Sequence, residues 1–167
     1  MLLIYTGNGK GKTSACVGQT LRALGQDMHV AFGQFMKKDG QAGEQRMLSR
    51  LLGDGFRAGG KGFLRKEEDR PAHREAALAM FDWGMRQLED VDMLVLDETL
   101  YALGCGILEE TEVRALVDKA RERGVHLVLS GRGLPEWLAA EADLITEMGE
   151  VKHPWQQGVT ATKGIEY

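Results

Sequence analysis

Cysteine is scarce in this chain: Cys16 and Cys105 are the only two among 167 residues, too few for the disulfide framework of a small secreted domain. Basic runs are missing as well, and the formal net charge is -4, which argues against nucleic acid as the main partner. No uninterrupted apolar stretch approaches the roughly 20 residues that span a bilayer, and no signal peptide precedes the first apolar run. A membrane role is therefore not expected; a soluble, cytoplasmic protein is. His29, His73, His126 and His153 are scattered without ligand spacing, so no zinc site is assigned. Repeats and low-complexity segments are also lacking. What is present is 43% hydrophobic content, enough for one α/β domain over residues 1–167 with a real core.

The most informative stretch is Thr6-Gly7-Asn8-Gly9-Lys10-Gly11-Lys12-Thr13-Ser14. Before it, Leu2-Leu3-Ile4-Tyr5 reads as a buried strand, and after it Ala15 to Gly25 carries helix-forming residues. A strand, a glycine-rich turn and a helix make a phosphate site. The glycines allow backbone N–H groups to point inward, where they add to the positive end of the helix dipole. Lys12 supplies a mobile cation and Thr13 a hydroxyl suited to magnesium. One feature departs from the usual G-x-x-x-x-G-K-[ST] pattern: three residues, not four, separate Gly7 from Gly11. A shorter loop should hold a polyphosphate differently from a standard NTPase.

Along the chain, Val17, Leu21 and Leu24 form the expected apolar stripe of the first helix, which stops near Gly25. His29 to Met36 reads as a second strand, Gln45 to Leu52 as a short helix, and Asp54 to Arg70 as a glycine-rich loop around a short strand near Phe56 or Phe63. Pro71 to Glu89 is helical, with Ala77, Leu78, Phe81 and Leu88 inward. Met93 to Leu96 is a strand ending on Asp97-Glu98, resembling a Walker B segment. Thr111 to Arg123 is a helix with Thr111 as candidate N-cap, and Val125 to Leu129 a strand ending at Ser130-Gly131-Arg132-Gly133. Pro135 to Ala140 looks helical and Leu144 to Thr146 is a last short strand, whereas residues 151–167 lack a regular pattern. Alternating strands and helices predict a mostly parallel sheet flanked by helices. In such sheets ligands sit beyond the carboxyl ends of strands, so the glycine loop, Asp97-Glu98 and Arg132 should converge there.

Each candidate has a plainer alternative. The glycines could form only a turn, but the neighbouring Lys-Thr pair and the downstream acidic strand end favour phosphate. Asp97 and Glu98 compete with a solvated strand end; a nucleotide-bound magnesium needs a carboxylate, with Glu98 on the ion or its waters and Asp97 orienting Thr13. Arg132 follows a strand end, and its guanidinium fork suits phosphate oxygens. Arg22 is divided evenly between nucleotide contact and surface charge. Cys16 and Cys105 read as packing residues, since no basic partner is near either. Phe63 and Trp155 lie in irregular segments, where capping a flat ligand and ordinary packing are equally good readings.

Taken together, these residues resemble the ATP:corrinoid adenosyltransferases of the bacterial CobA/CobO/BtuR type. Thr6 to Thr13 is similar to the family's shortened phosphate loop, and Leu94-Val95-Leu96-Asp97-Glu98 to its acidic strand end. Ser130-Gly131-Arg132-Gly133 resembles its Thr-Gly-Arg-Gly turn, and Ala142-Asp143 through Glu147 its Ala-Asp-x-x-[ST]-Glu segment. Val151-Lys152-His153, Gly158-Val159, Ala161 and Gly164-Ile165-Glu166-Tyr167 resemble its C-terminal signature, the most specific match. The resemblance implies a RecA-like P-loop fold, usually dimeric, that transfers the 5′-deoxyadenosyl group of ATP to Co(I) of a reduced corrinoid and releases triphosphate. It implies ATP on Gly7, Asn8, Gly9, Lys10, Gly11, Lys12, Thr13, Ser14 and Arg22, with catalysis by Lys12, Thr13, Glu98 and Arg132. Mg2+ or Mn2+ would be held by Thr13, Glu98 and Asp97, the corrinoid would meet Phe63 and Trp155, and a flavoprotein would act as reductant. Two features depart from the family pattern. The chain begins only a few residues before the loop, so another segment or the corrinoid is expected to close the site. Gly62-Phe63-Leu64-Arg65 places Arg65 where the family's Gly-Phe-Thr-Trp has tryptophan, so lower-ligand displacement should work differently, or the substrate should be an incomplete corrinoid. An ordinary P-loop ATPase or small-molecule kinase is the alternative, followed by a nucleotide-binding regulatory or corrinoid-delivery module.

Overall fold

An extended apolar run covered on both sides satisfies its backbone as an inner strand of a sheet, and this is how the chain begins. The computed structural model describes residues 1–167 apart from the side chain of Trp155, so the sequence-based expectation for Trp155 lies outside the described residues. The strands are β1 (Leu2–Thr6), β2 (Val30–Gln34), β3 (Phe56–Ala58), β4 (Met93–Asp97), β5 (His126–Ser130) and β6 (Leu144–Glu147). They form one sheet in the order β3-β2-β4-β5-β1-β6, with every pairing parallel. Both faces are covered at β2 and β4, which is why these strands read as near-continuous apolar runs rather than alternations, whereas the edge strand β6 is exposed throughout.

Alternate residues of each strand feed opposite faces. On one face Leu3, Val30, Phe32, Met93, Val95 and Val128 pack with helices α1 (Lys12–Leu24) and α2 (Gly43–Leu52) through Cys16, Ala23 and Leu48. On the other, Ile4, Leu94, Leu96, Leu127 and Leu129 meet α3 (Arg70–Gln87), α4 (Thr99–Gly104), α5 (Glu110–Glu122) and α6 (Glu136–Glu141). Among the described residues no helix is long and apolar enough to cross a membrane.

The structure corrects three local expectations. In α1 the fully buried residues facing the sheet are Cys16, Thr20 and Ala23; of the expected Val17, Leu21 and Leu24, Val17 and Leu24 pack partly buried beside them, while Leu21 is 51% exposed. The helix lies against the sheet on small side chains, and the buried Thr20 hydroxyl is satisfied by donating to the Cys16 carbonyl at 3.0 Å. The α5 N-cap is Glu109 instead of Thr111. Glu112 accepts the Glu109 N–H at 2.8 Å and is gripped by both terminal nitrogens of Arg74 at 2.6 and 2.7 Å, which starts the helix earlier. Finally, α4 has no counterpart among the expected elements, and of the two possible positions for the short strand Phe56 is the one used, while Phe63 stands in a loop.

Candidate active site

The strand carrying the glycine loop and the strand carrying the acid pair are not neighbours: β5 lies between β1 and β4. Parallel registration brings Thr6, Asp97 and Ser130 to the same end of the sheet, and a cavity of about 730 Å³ opens over these ends. Its wall includes Gly9, Lys10, Gly11, Lys12, Thr13, Ser14, Glu98 and Arg132, so most of the predicted ATP-site residues share one space. Gly7 and Asn8 sit behind that wall, their carbonyls accepting from Lys12 at 2.8 Å and Arg132 at 3.1 Å. Arg22 is not brought to the cavity. It lies exposed in the last turn of α1, where its Nη1 donates to Gln19 at 3.4 Å.

The loop is shaped by close contact with the segment after β6. Gly9 donates its N–H to the Met148 carbonyl at 2.7 Å. A Cβ on Gly7 would meet that carbonyl oxygen at 2.4 Å, and one on Gly9 would meet the Gly149 oxygen at 2.5 Å. Gly7 also has φ +98°, a conformation that L side chains rarely adopt. Gly7→Ala is therefore expected to cost about 1–3 kcal/mol of stability and to weaken ATP binding about tenfold or more, read by thermal melting and nucleotide titration. Unchanged values in both would mean that this close approach does not shape the loop.

Lys12 is almost entirely buried. Its Nζ donates to the Gly7 and Gly9 carbonyls at 2.8 and 2.7 Å, folding the side chain back over its own loop. Burial first, and the Arg132 charge second, lower its pKa. Lys10, Lys12, Lys37 and Arg132 all line this space; Lys10 pairs with Glu166 and Lys37 with Glu44, which leaves Lys12 and Arg132 to favour an anion.

Asp97 is completely buried and fully engaged. It accepts from Thr13 Oγ1 at 2.9 Å, Ser130 Oγ at 2.6 Å and Gln34 Nε2 at 3.1 Å, with Lys37 Nζ 3.4 Å away. A carboxylate so committed acts through Thr13, whose hydroxyl it aims. Glu98 differs: its side chain lines the cavity, and burial, then repulsion from Asp97, raise its pKa to about 6. Its backbone is held at φ +63°, a costly conformation for a residue with a side chain, and its N–H donates to Ser130 Oγ at 3.1 Å. Ser130 therefore fixes both acids. Thr13 and Glu98 are oxygen donors that suit a hard divalent ion. Among the described residues no group of three or more His, Cys, Asp or Glu could hold a metal alone, so nucleotide oxygens would have to complete the shell.

Sequence reasoning missed Lys37, Glu44, Gln34 and Gln45. Lys37 donates to Thr13 Oγ1 and to Glu44 Oε1, both at 3.0 Å. Burial alone would lower its pKa, but the Asp97 and Glu44 charges outweigh it and raise it. Gln45 Nε2 donates to Gln34 Oε1 at 2.8 Å, tying the start of α2 to Asp97 through Gln34. The C-terminal segment is recognisable in the sequence only by pattern, and here it supplies a wall: Gly164, Ile165, Glu166 and Tyr167 line the cavity. Glu166 takes Lys10 Nζ at 3.0 Å and the Thr162 N–H at 2.6 Å. Lys10, expected on phosphate, is thus paired with the tail. Phe63 is 61% exposed at the rim and packs edge-on against Tyr101, ring centroids 5.5 Å apart. Cys16 is buried, and burial pushes its thiol well up, which fits packing and not nucleophilic use.

The family model described as ATP:corrinoid adenosyltransferase BtuR/CobO/CobP matches residues 1–167. A corrinoid adenosyltransferase of Pseudomonas aeruginosa is 38% identical over 172 residues, covering 100% of this chain and 83% of the relative. The corrinoid adenosyltransferase CobA of Salmonella typhimurium is 35% identical over 169 residues, covering 100% of this chain and 85% of its own. Among solved structures, the flagellar accessory protein FlaH of Methanocaldococcus jannaschii shares the fold, with a TM-score of 0.57 at 12% identity over 87% of this chain and 69% of that one. The chain belongs to the ATP:corrinoid adenosyltransferase family.

Proposed function

We propose that this protein transfers the 5′-deoxyadenosyl group of ATP to the Co(I) of a reduced corrinoid, forming an adenosylcorrinoid and releasing triphosphate. The observation that carries the reading is the composition of one cavity. Lys12 and Arg132, two cations that can hold a polyphosphate, and the exposed Phe63 ring line the same space. Such a site suits a reaction in which the nucleophile is the second substrate. Co(I) attacks C5′ of the ribose, the C5′–O bond breaks, and its electron pair leaves with triphosphate. The protein then needs neither a nucleophile nor a general base.

Its residues hold and position. Lys12 and Arg132 place positive charge where the leaving group gains negative charge, a contribution that grows toward the transition state. Thr13 and Glu98 would hold Mg2+ or Mn2+, with Asp97 orienting Thr13. The ion would supply further neutralisation of the triphosphate when bound. Ser14, Gly11 and Gly9 complete the loop wall against the phosphates. The tail and Phe63 border the corrinoid side, and positioning of C5′ between cobalt and leaving oxygen supplies the remainder. The protein acts in the cytoplasm as a homodimer, and electrons from a reductant such as a flavoprotein bring the corrinoid cobalt to Co(I).

Anaerobic incubation with ATP, magnesium and chemically reduced cobalamin tests this. A light-sensitive cobalt–carbon product that forms only with ATP supports the reading, and an unchanged corrinoid spectrum opposes it. Phe63→Ala should reduce transfer to complete cobalamin about tenfold more than transfer to a corrinoid lacking the lower ligand, a difference near 1.4 kcal/mol. Equal losses on both corrinoids would remove Phe63 from lower-ligand displacement.

A further inference from the structure

Thr13 Oγ1 has one proton to give and two lone pairs to offer. The proton goes to Asp97 at 2.9 Å, and Lys37 donates into the oxygen at 3.0 Å. The same ammonium reaches Glu44 Oε1 at 3.0 Å and lies 3.4 Å from Asp97 Oδ2. Glu98 lines the same cavity. Three elements therefore converge on one cation: α1 through Thr13, β4 through Asp97 and α2 through Glu44. Without it, Asp97 and Glu44 would lose the ammonium that stands between them. Lys37 is itself only about one-third exposed, at 29% of its side-chain surface.

A divalent ion on the Thr13 hydroxyl would stand next to this ammonium and be repelled by it. We infer that Lys37 is the resident cation of the nucleotide-free site and that it keeps divalent metal out until nucleotide arrives, so that metal and ATP enter together. The inference rests on the nucleotide reading of this site and adds an order of binding to it. The balance of charge explains the order. Lys37 offsets part of the charge of Asp97, Glu44 and Glu98 before nucleotide binds, with Lys12 and Arg132 acting on Glu98 as well. A triphosphate adds several negative charges at the loop, gives Lys37 new acceptors within reach of its flexible stem, and provides the oxygens that the protein alone does not supply. The support beneath Lys37 is firm: Gln45 ties Gln34 and the Lys38 carbonyl to the start of α2 at 2.8 and 3.0 Å. The ammonium can move while Glu44 and Asp97 keep their places.

The test uses Mn2+ as probe and reads the ion retained with the protein after ultrafiltration, against a control of Mn2+ and ATP without protein, with no corrinoid present. The wild-type chain is expected to take up Mn2+ with ATP and to leave it free without. Lys37→Gln should bind Mn2+ alone about tenfold tighter than wild type or more, and adding Glu98→Gln to it should abolish that gain. Lys37→Arg, which keeps the charge, should behave as wild type. Circular dichroism checks each fold, and Lys37→Met, which keeps most of the stem, replaces Lys37→Gln if the latter does not fold. Equal affinities of wild type and the charge-removed variants for Mn2+ alone would overturn the role given to Lys37, while normal uptake of Mn2+ with ATP in the same experiment would leave the nucleotide reading intact. Failure of wild type to take up Mn2+ with ATP would contradict the nucleotide–metal reading itself.

Discussion

Lys12→Ala is expected to lower turnover about 10²–10³-fold, with a smaller rise in KM for ATP. The asymmetry follows from where its charge acts. Lys12 Nζ is satisfied by two neutral carbonyls, those of Gly7 and Gly9. Phosphate oxygens are stronger, charge-assisted acceptors, and their charge increases as the C5′–O bond breaks. An interaction that strengthens during the reaction appears in kcat more than in KM. Its near-complete burial amplifies the effect, since little water is present to substitute for the ammonium. Lys12→Arg should recover only part of the rate, because a planar fork does not fit a space built around a point charge. Lys12→Ala also leaves the Gly7 and Gly9 carbonyls without their partner, so melting must be recorded beside the kinetics. Wild-type kcat in a folded Lys12→Ala protein would rule out charge stabilisation by this residue.

Glu98→Gln should separate stability from activity. Burial and the neighbouring Asp97 raise the Glu98 pKa from 4.5 to about 6, so the folded state binds this proton more tightly than the unfolded chain does. Ionisation is therefore penalised in the fold. The penalty is absent below pH 4.5, grows as pH rises through about 6, and is complete above it. Removing the charge should stabilise the nucleotide-free protein above that pH by up to about 2 kcal/mol, and the gain should vanish on acidification. Activity should move the other way, falling about a hundredfold or more because the divalent ion loses an anionic ligand. For wild type, the same titration predicts that uptake of metal with ATP strengthens as pH rises through about 6. A Glu98→Gln protein that is both less stable in mildly alkaline buffer and fully active would reject the assignment. The strained backbone at φ +63° fits a residue kept for function at the expense of the fold.

Much of the site is legible in the sequence because its signals are local. The apolar runs of β1, β4 and β5 announce buried strands. The glycine loop, Asp97-Glu98 and Arg132 come directly after these runs, so they must emerge at the same end of a parallel sheet. The cavity wall shared by Lys12, Thr13, Glu98 and Arg132 obeys that rule. Lys37 is invisible for the opposite reason. It matters only because β2 is registered against β4, Gln34 beside Asp97, and no spacing within residues 30–45 states that pairing. The Lys10–Glu166 contact spans 156 positions, so it too belongs to tertiary structure. Arg22 fails differently: a helix rises 1.5 Å per residue, and a residue in the last turn of α1 is carried away from the loop at its first. At Leu21 packing overrides hydrophobicity: close helix–sheet contact selects the small Cys16 and Ala23 for the interior, Val17 and Leu24 pack at its margin, and Leu21 is left exposed. Seen as sequence, the glycines serve phosphate alone. At Gly7 and Gly9 they also admit the backbone of Met148 and Gly149, a constraint from the far end of the chain.

If the loop holds triphosphate as an intact leaving group while the reaction occurs at the ribose carbon, the phosphorus products reveal it. Phosphorus NMR after anaerobic turnover with ATP, magnesium and reduced corrinoid should show triphosphate in equal amount to the adenosylcorrinoid formed. ADP with orthophosphate, and no cobalt–carbon bond, would refute alkyl transfer and assign the chain to ordinary phosphoryl transfer.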